Sequence, residues 1–307
     1  MSDDTAGRDK RRRPLGFAPW RPRADTERVL GQVAQVLDTY RDFAPLTVRQ
    51  VFYALVGGYG YAKTEAAYSR LGDILNRARR AGVVPFDVIR DDGVVTMSAD
   101  YFTDPADFWD ATAWRIRGYR RDRQAGQPCY IELWSEAAGM LPQLDRVAQD
   151  YSVPVYSCGG FASLTATYAI ASRAVERTGP TVLLHVGDHD PSGAAIFERV
   201  TADAAAFTRD RRIVQTSRIE GVRVALTAAQ VAGYGLPTAP VKATDSRAKD
   251  WRGGTCQLEA LPPDALADLV RAAIEELRNP DTLARVVRAE EADRDALYRG
   301  LPAGADG

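Results

Sequence analysis

"TVLLHVGDHDPSG", residues 181–193, decides the fold: an apolar run stops abruptly at Asp188 and Asp190 and is followed at once by proline, serine and glycine. A short apolar run bounded by turn residues reads as a buried strand. Two further stretches, "CYIELWS" (129–135) and "VPVYS" (153–157), have the same character. Helical stretches over 138–149 and 164–176 separate the three. A further helix over 193–205 precedes the strand-like "RIVQT" (212–216) and "VRVAL" (222–226). Strand and helix alternate, which predicts an α/β domain built on a parallel sheet. After it, the segment 226–251 is rich in turn residues, and "PPDALADLVRAAIEELRNP" returns to helix.

The 307 residues, 45% hydrophobic and 26% charged, can bury a real core and predict two domains and a soluble globular protein. No apolar run approaches the roughly 18 residues of a membrane span, and "MSDDTAGRDKRRRPLG" lacks the apolar stretch of a secretory signal, so a cytoplasmic location is expected. Cys129, Cys158 and Cys256 are too few and scattered for a disulfide framework or a zinc cluster, and read as small buried hydrophobes. The net charge of −1 is unevenly placed: residues 1–23 form a basic, flexible tail suited to touching nucleic acid.

Upstream of the sheet, Val29, Leu30, Val33, Val36 and Leu37 have helical spacing, with Asp25 or Thr26 available as N-cap. A second helix is predicted over 47–56, closed by Gly57 and Gly58. A third starts near Thr64 and sets Ala67, Leu71, Ile74, Leu75 and Ala78 on one face, with Arg70, Arg77 and Arg80 on the other. "VVPFDVIRDDGVVTM" (83–97) then reads as a hairpin turning at Asp91, Asp92 and Gly93. Three helices and a hairpin predict a winged-helix, DNA-binding domain over 24–105. The arginines serve a DNA backbone in that reading and an ordinary solvated face in the alternative. Residues 106–127 form a helical, basic connector and 280–307 a C-terminal helix and tail.

In a parallel sheet with helical crossovers, side chains at the carboxyl ends of strands converge on one crevice. Asp188 and Asp190 sit at such an end, Glu136 at the matching end of the first strand, and Glu132 four residues earlier on it. Clustered carboxylates raise one another's pKa unless a counter-charge is present. Mg2+ suits them, because it takes one or two carboxylates, keeps several waters and completes its shell with substrate phosphate oxygens. Alternatively Asp188 caps the following helix and Asp190 is a turn residue before Pro191, though the matching Glu136 is harder to explain that way. His185 and His189 are poor magnesium ligands and receive no role.

In "LTVRQVFYALVGG" the apolar face comprises Val48, Val51, Phe52, Leu55 and Val56. At about 100° per residue Tyr53 falls roughly 130° away from its centre, one turn after Arg49 on the same ridge, so it need not be core. Its phenol is a nucleophile only if ionisation is assisted, for which Arg49 is placed. On spacing alone a tyrosine lying across the surface or touching phosphate fits as well.

Together these residues resemble the A subunit of topoisomerase VI and the meiotic double-strand-break transesterase, and more closely the short bacterial and phage homologues called Mini-A. The resemblance rests on "RQVFY", "IELWSEAAGML" and "GDHDPSG" in that order, and spans about residues 27–277. "LPTAPVKATDSRAKDW" and "QLEALPP" are similar to the short homologues as well. It implies a Toprim domain over 128–279, with Glu136, Asp188 and Asp190 as its metal-binding carboxylates and Arg49 and Tyr53 as the family's R-x-x-x-Y pair. It further implies that Tyr53 attacks a phosphodiester of double-stranded DNA and stays linked to the 5′ end, within a homodimer whose partner chain supplies the magnesium. Ala137 stands where the family usually has lysine. No G-x-x-x-x-G-K-[ST] loop is present, so ATP-driven strand passage would need a separate ATPase subunit.

Three functions remain open at this point: a Tyr53-dependent DNA transesterase, a nuclease in which metal-activated water replaces the tyrosine, and a DNA-binding component of a larger complex with little catalysis of its own. Lys242, Arg247 and Lys249 suit contacts to a DNA backbone and equally suit an exposed polar loop.

Overall fold

The computed structural model describes residues 17–90, 99–157, 164–177, 179–208, 218–241, 251 and 253–302. The chain divides into two compact units, Met1–Arg90 and Asp91–Gly307.

In the first unit, α1 (Ala24–Thr39) buries Val29, Leu30, Val33 and Val36. Its N-cap is Arg23, without a side-chain cap, and the expected caps lie inside the helix; Asp25 in the first turn faces the positive end of the helix dipole. The second helix, α2 (Val48–Tyr59), opens with a reciprocal capping box: Gln50 N donates to Thr47 Oγ1 at 3.1 Å and Thr47 N to Gln50 Oε1 at 2.8 Å. Gly57 and Gly58 do not end it. The stop is Gly60, whose φ of 65° takes the left-handed form that a side chain resists.

Thr64 caps α3 (Glu65–Arg80), which buries Leu71, Ile74, Leu75 and Ala78. The short strands β1 (Leu46–Thr47) and β2 (Ile89–Arg90) pair in parallel, so β2 joins the strand ahead of α2. The proposed hairpin turn and its second arm fall within 91–98, outside the described residues.

The second unit is an α/β layer structure. Its four-stranded parallel sheet has the order β4-β3-β5-β6, formed by β3 (Tyr130–Ser135), β4 (Val155–Ser157), β5 (Thr181–Val186) and β6 (Ile219–Ala225). Every residue of β5 is buried, as its central position requires. "RIVQT" lies outside the described residues.

Register places Glu132 beside Leu183 and Trp134 beside His185, so these four side chains share one face. That face packs under α6 (Leu164–Val175) and α7 (Pro191–Phe207) through Trp134, Leu183, Ile170, Ala174, Phe197 and Val200. Elsewhere in the unit α5 (Leu141–Ala148) packs on β4 and on α9 (Pro263–Glu276), which also meets β6. The expected helix over 138–149 is broken, with 3-10 turns on either side of α5, and a short helix, α8 (Ala228–Gly233), interrupts the turn-rich segment behind a Thr227–Gln230 capping box.

The connector helix α4 (Pro105–Arg117) packs on α10 (Pro280–Arg299). Buried Glu290 receives Arg123 at 2.7 Å, Arg294 at 2.8 Å and the backbone N–H of Arg121 at 3.1 Å. Among the described residues no helix is long and apolar enough to cross a membrane.

Candidate functional site

At the carboxyl end of the sheet, β3 and β5 run side by side and then diverge. Glu136 N donates to Val186 O at 3.2 Å, continuing the ladder one step past β3. The Glu136 side chain therefore rises beside Gly187, on the same face as Trp134 and His185. A Cβ on Gly187 would stand 2.6 Å from the Glu136 carboxyl carbon, and one on Gly193 would stand 2.5 Å from its Oε1. Both glycines of "GDHDPSG" thus make room for this carboxylate, a requirement that spacing along the chain does not reveal.

The aspartates are held by backbone. Asp190, not Asp188, is the N-cap of α7: its Oδ1 accepts from Gly193 N at 2.7 Å, and Pro191 occupies the first helical position. The helix starts there because Pro191 has no N–H to leave unpaired. Asp188 turns back toward a distant segment, its Oδ1 accepting from Leu258 N at 2.9 Å, while its own N–H points at Glu136 Oε2 at 3.4 Å. A two-way backbone bridge between His189 and Cys256 clamps the same loop, and His189 lies against Trp251.

Burial pushes the Glu136 carboxyl up to about 7, with Asp188 and Asp190 adding to the rise and Arg223 opposing it. A carboxyl raised chiefly by burial, and further by two aspartates, is one whose charged form a cation would stabilise. No group of three His, Cys, Asp or Glu side chains among the described residues is drawn together closely enough to hold a metal ion. Glu136 and Asp188 meet through the Asp188 backbone N–H, and a magnesium ion, which takes one or two carboxylates and keeps its waters, would draw on these two side chains.

Glu132 does not join this group. It is fully buried and holds Arg173 in two bonds, Nε to Oε1 at 2.8 Å and Nη2 to Oε2 at 2.9 Å, with Arg177 Nη1 at 3.1 Å and Trp134 Nε1 at 3.2 Å. At about 3.3 Å per strand residue it lies roughly 13 Å from Glu136 along the chain, too far to share an ion.

Two residues without an expected role stand behind the acidic loop. His185 is fully buried, stacked at 4.3 Å on Phe197, with Nε2 3.4 Å from Glu136 Oε1. Arg223 on β6 lies 3.1 Å from His185 Nδ1, and its Nη2 donates to the carbonyls of Gly187, at 3.1 Å, and Asp188. Burial, and then Arg223, depresses the His185 pKa to about 3.

The unfolded histidine binds its proton near pH 6.5 and the folded one only near 3, so this stabilisation is complete above 6.5 and is lost as pH falls toward 3. The difference in unfolding free energy between wild type and His185→Gln is expected to fall by about 1.4 kcal/mol per pH unit below 6.5. Urea titrations between pH 4 and 8 measure it, and a flat difference contradicts the neutral imidazole.

Gly193→Ala supplies a second test. The obstructing atom is the tip of a flexible side chain, so the fold is expected to survive while the Glu136 carboxylate is displaced. Thermal unfolding should shift by a few degrees at most, and Mn2+ affinity should drop by about 10–100-fold. Unchanged affinity would mean that the close approach does not matter.

In the first unit Tyr53 is buried, with 7% of its surface exposed, although helical phase places it off the apolar face. Lys63, which follows α2, lies 5.7 Å from the ring centroid, and the neighbouring Phe52 on α2 meets the ring edge-on at 5.3 Å. Arg49 lies over Tyr68 at 5.7 Å and Lys63 over the Tyr53 ring at 5.7 Å, the second of which spacing along α2 could not show. Arg70 and Arg77 are exposed and Arg80 is half-buried, with Nε bonded to Asn76 at 3.1 Å. Lys242, Arg247 and Lys249 lie outside the described residues, as does Cys158; Cys129 and Cys256 are buried, as expected of small hydrophobes. In comparison with known proteins, no family model and no curated protein matches the chain.

Proposed function

We propose that the chain is a magnesium-dependent DNA-cleaving transesterase of the topoisomerase VI A type, with a winged-helix unit carrying Tyr53 and a Toprim unit carrying Glu136, Asp188 and Asp190. The observation that carries this reading is the approach of Glu136 to Asp188 across the ends of adjacent parallel strands, with two glycines making room for it. Bound magnesium would supply charge stabilisation at the phosphate as it becomes five-coordinate.

The chain's own groups do the rest. Glu136 and Asp188 would hold the cation against the phosphate, and Asp190 ties the loop to the start of α7. Arg70 and Arg77 face solvent on α3 and contact the DNA backbone, joined by the half-buried Arg80. Tyr53 attacks phosphorus, its proton passes to solvent, the 3′ oxygen leaves, and the tyrosine remains linked to the 5′ phosphate. Arg49, one turn before Tyr53 on α2, assists the phenolate in this reading, and Lys63 adds a second positive charge near the ring. In this reading two copies pair, each Tyr53 served by the acidic site of the other, and any ATP-driven step belongs to a separate subunit.

A second reading is favoured by the burial of Tyr53: the same acidic site activates water, and the tyrosine stays a packed side chain. Incubation with supercoiled plasmid and Mg2+, with and without proteinase, separates the two. The transesterase leaves protein on 5′ ends, and Tyr53→Phe abolishes both adduct and cleavage. The hydrolase leaves free ends, and Tyr53→Phe cleaves as wild type does.

A further inference from the structure

We propose that Arg223 and His185 form a positioning brace that sets the direction of the Glu136 carboxylate; its effect on metal uptake rests on the function proposed above. Arg223 enters from β6, on the far side of β5 from β3. A guanidinium only donates, so at 3.1 Å it obliges His185 Nδ1 to accept, and the imidazole proton must then sit on Nε2. That nitrogen lies 3.4 Å from Glu136 Oε1, which sets the proton-bearing side of the ring next to the carboxylate. The ring cannot turn away, being fully buried and stacked within 10° of parallel on Phe197.

The other arm of Arg223 donates to the carbonyls of Gly187 and Asp188, and its Nε lies 3.4 Å from Leu226 O. One side chain thus holds both the loop that carries Asp188 and the histidine that faces Glu136. Neither residue is placed to bind a cation itself. The group that Arg223 presents to the site is a fixed N–H on imidazole, and lysine, with a single nitrogen, could not hold the ring and both carbonyls in the same planar fork.

The chain has two histidines, which makes the imidazole directly observable. In protein labelled with 15N-histidine, and with signals assigned through His189→Gln, wild-type His185 is expected as the Nε2–H tautomer alone. Arg223→Met is expected to yield mixed tautomers and to weaken Mn2+ binding at least about tenfold. His185→Gln, which can still accept from Arg223 and donate to Glu136, should keep the wild-type Mn2+ affinity; His185→Phe, which preserves the stack, should lose it to the same extent as Arg223→Met.

An Nδ1–H tautomer in wild type overturns the brace even if Arg223→Met does not fold. Unchanged Mn2+ affinity in Arg223→Met or in His185→Phe overturns its positioning role. The tautomer needs no metal, so a wild type that takes up no Mn2+ ends the metal reading and leaves the imidazole signal to decide the brace.

Discussion

Asp188→Ala is expected to lower Mg2+-dependent cleavage of supercoiled DNA by about 10²–10³-fold, the size of effect that follows loss of one preorganised charge-stabilising group. DNA binding, measured by fluorescence anisotropy, should hold its wild-type affinity and its steep salt dependence, because the arginines of α3 that the proposal sets on the phosphate backbone sit in the other unit. The split between binding and cleavage is the informative result. Asp188 also accepts from Leu258 N, so its removal loosens the clamp between the acidic loop and the 255–258 segment. Asp188→Asn separates the two roles, since its amide oxygen can still accept that bond while the charge is gone. It should fold like wild type and cleave as poorly as Asp188→Ala. Cleavage at the wild-type rate in both variants would remove the acidic site from the mechanism.

The largest effect on stability is expected at Glu132. This carboxylate is fully buried and neutralises Arg173 and Arg177, whose side chains are 28% and 17% exposed and lie on aromatic rings, Arg173 4.5 Å from the Tyr156 centroid and Arg177 4.9 Å from that of Tyr130. Removing one partner of such a group leaves charge in a poorly solvated place and costs about 3–5 kcal/mol. Glu132→Ala should therefore lower the urea midpoint strongly. The same variant, at a temperature where it is folded, should bind Mn2+ as wild type does, because Glu132 belongs to the packing of α6 against the sheet and not to the acidic site. A small loss of stability, or a large loss of Mn2+ affinity, would contradict that assignment.

Glu132 also marks where spacing along the chain stops being informative. It lies on the same face of β3 as Glu136, and a sequence shows two acids on one strand; only the positions of Arg173 and Arg177 on α6 and just beyond it show that one is packing and the other is site. What was legible was whatever local physics decides. The buried strands of the second unit, their alternation with helices and the strand-end placement of Glu136, Asp188 and Asp190 all follow from apolar runs bounded by turn residues. The basic face of α3 follows from helical phase.

What was not legible depends on groups distant in the chain. Gly187 and Gly193 look like ordinary turn glycines until Glu136 arrives from 50 or so residues earlier. Arg223 falls inside the strand-like "VRVAL" and carries no signal of its own, because its partners come from β5 and the loop after it. Helical phase leaves Tyr53 free to lie off the core, because a helical wheel contains no information about Lys63 beyond the end of α2. The exchange of roles between Asp188 and Asp190 has a local cause, since Pro191 favours the residue directly before it as the cap.

The central claim is that Glu136 and the aspartates of "GDHDPSG" share one divalent cation. Crystals soaked in Mn2+ and measured near the manganese absorption edge test it most directly. The account predicts an anomalous peak bounded by Glu136 and Asp188, with metal–oxygen distances of about 2.0–2.2 Å and Asp190 in contact directly or through water. Full occupancy elsewhere with nothing between these carboxylates, at a Mn2+ concentration that supports cleavage, would contradict it.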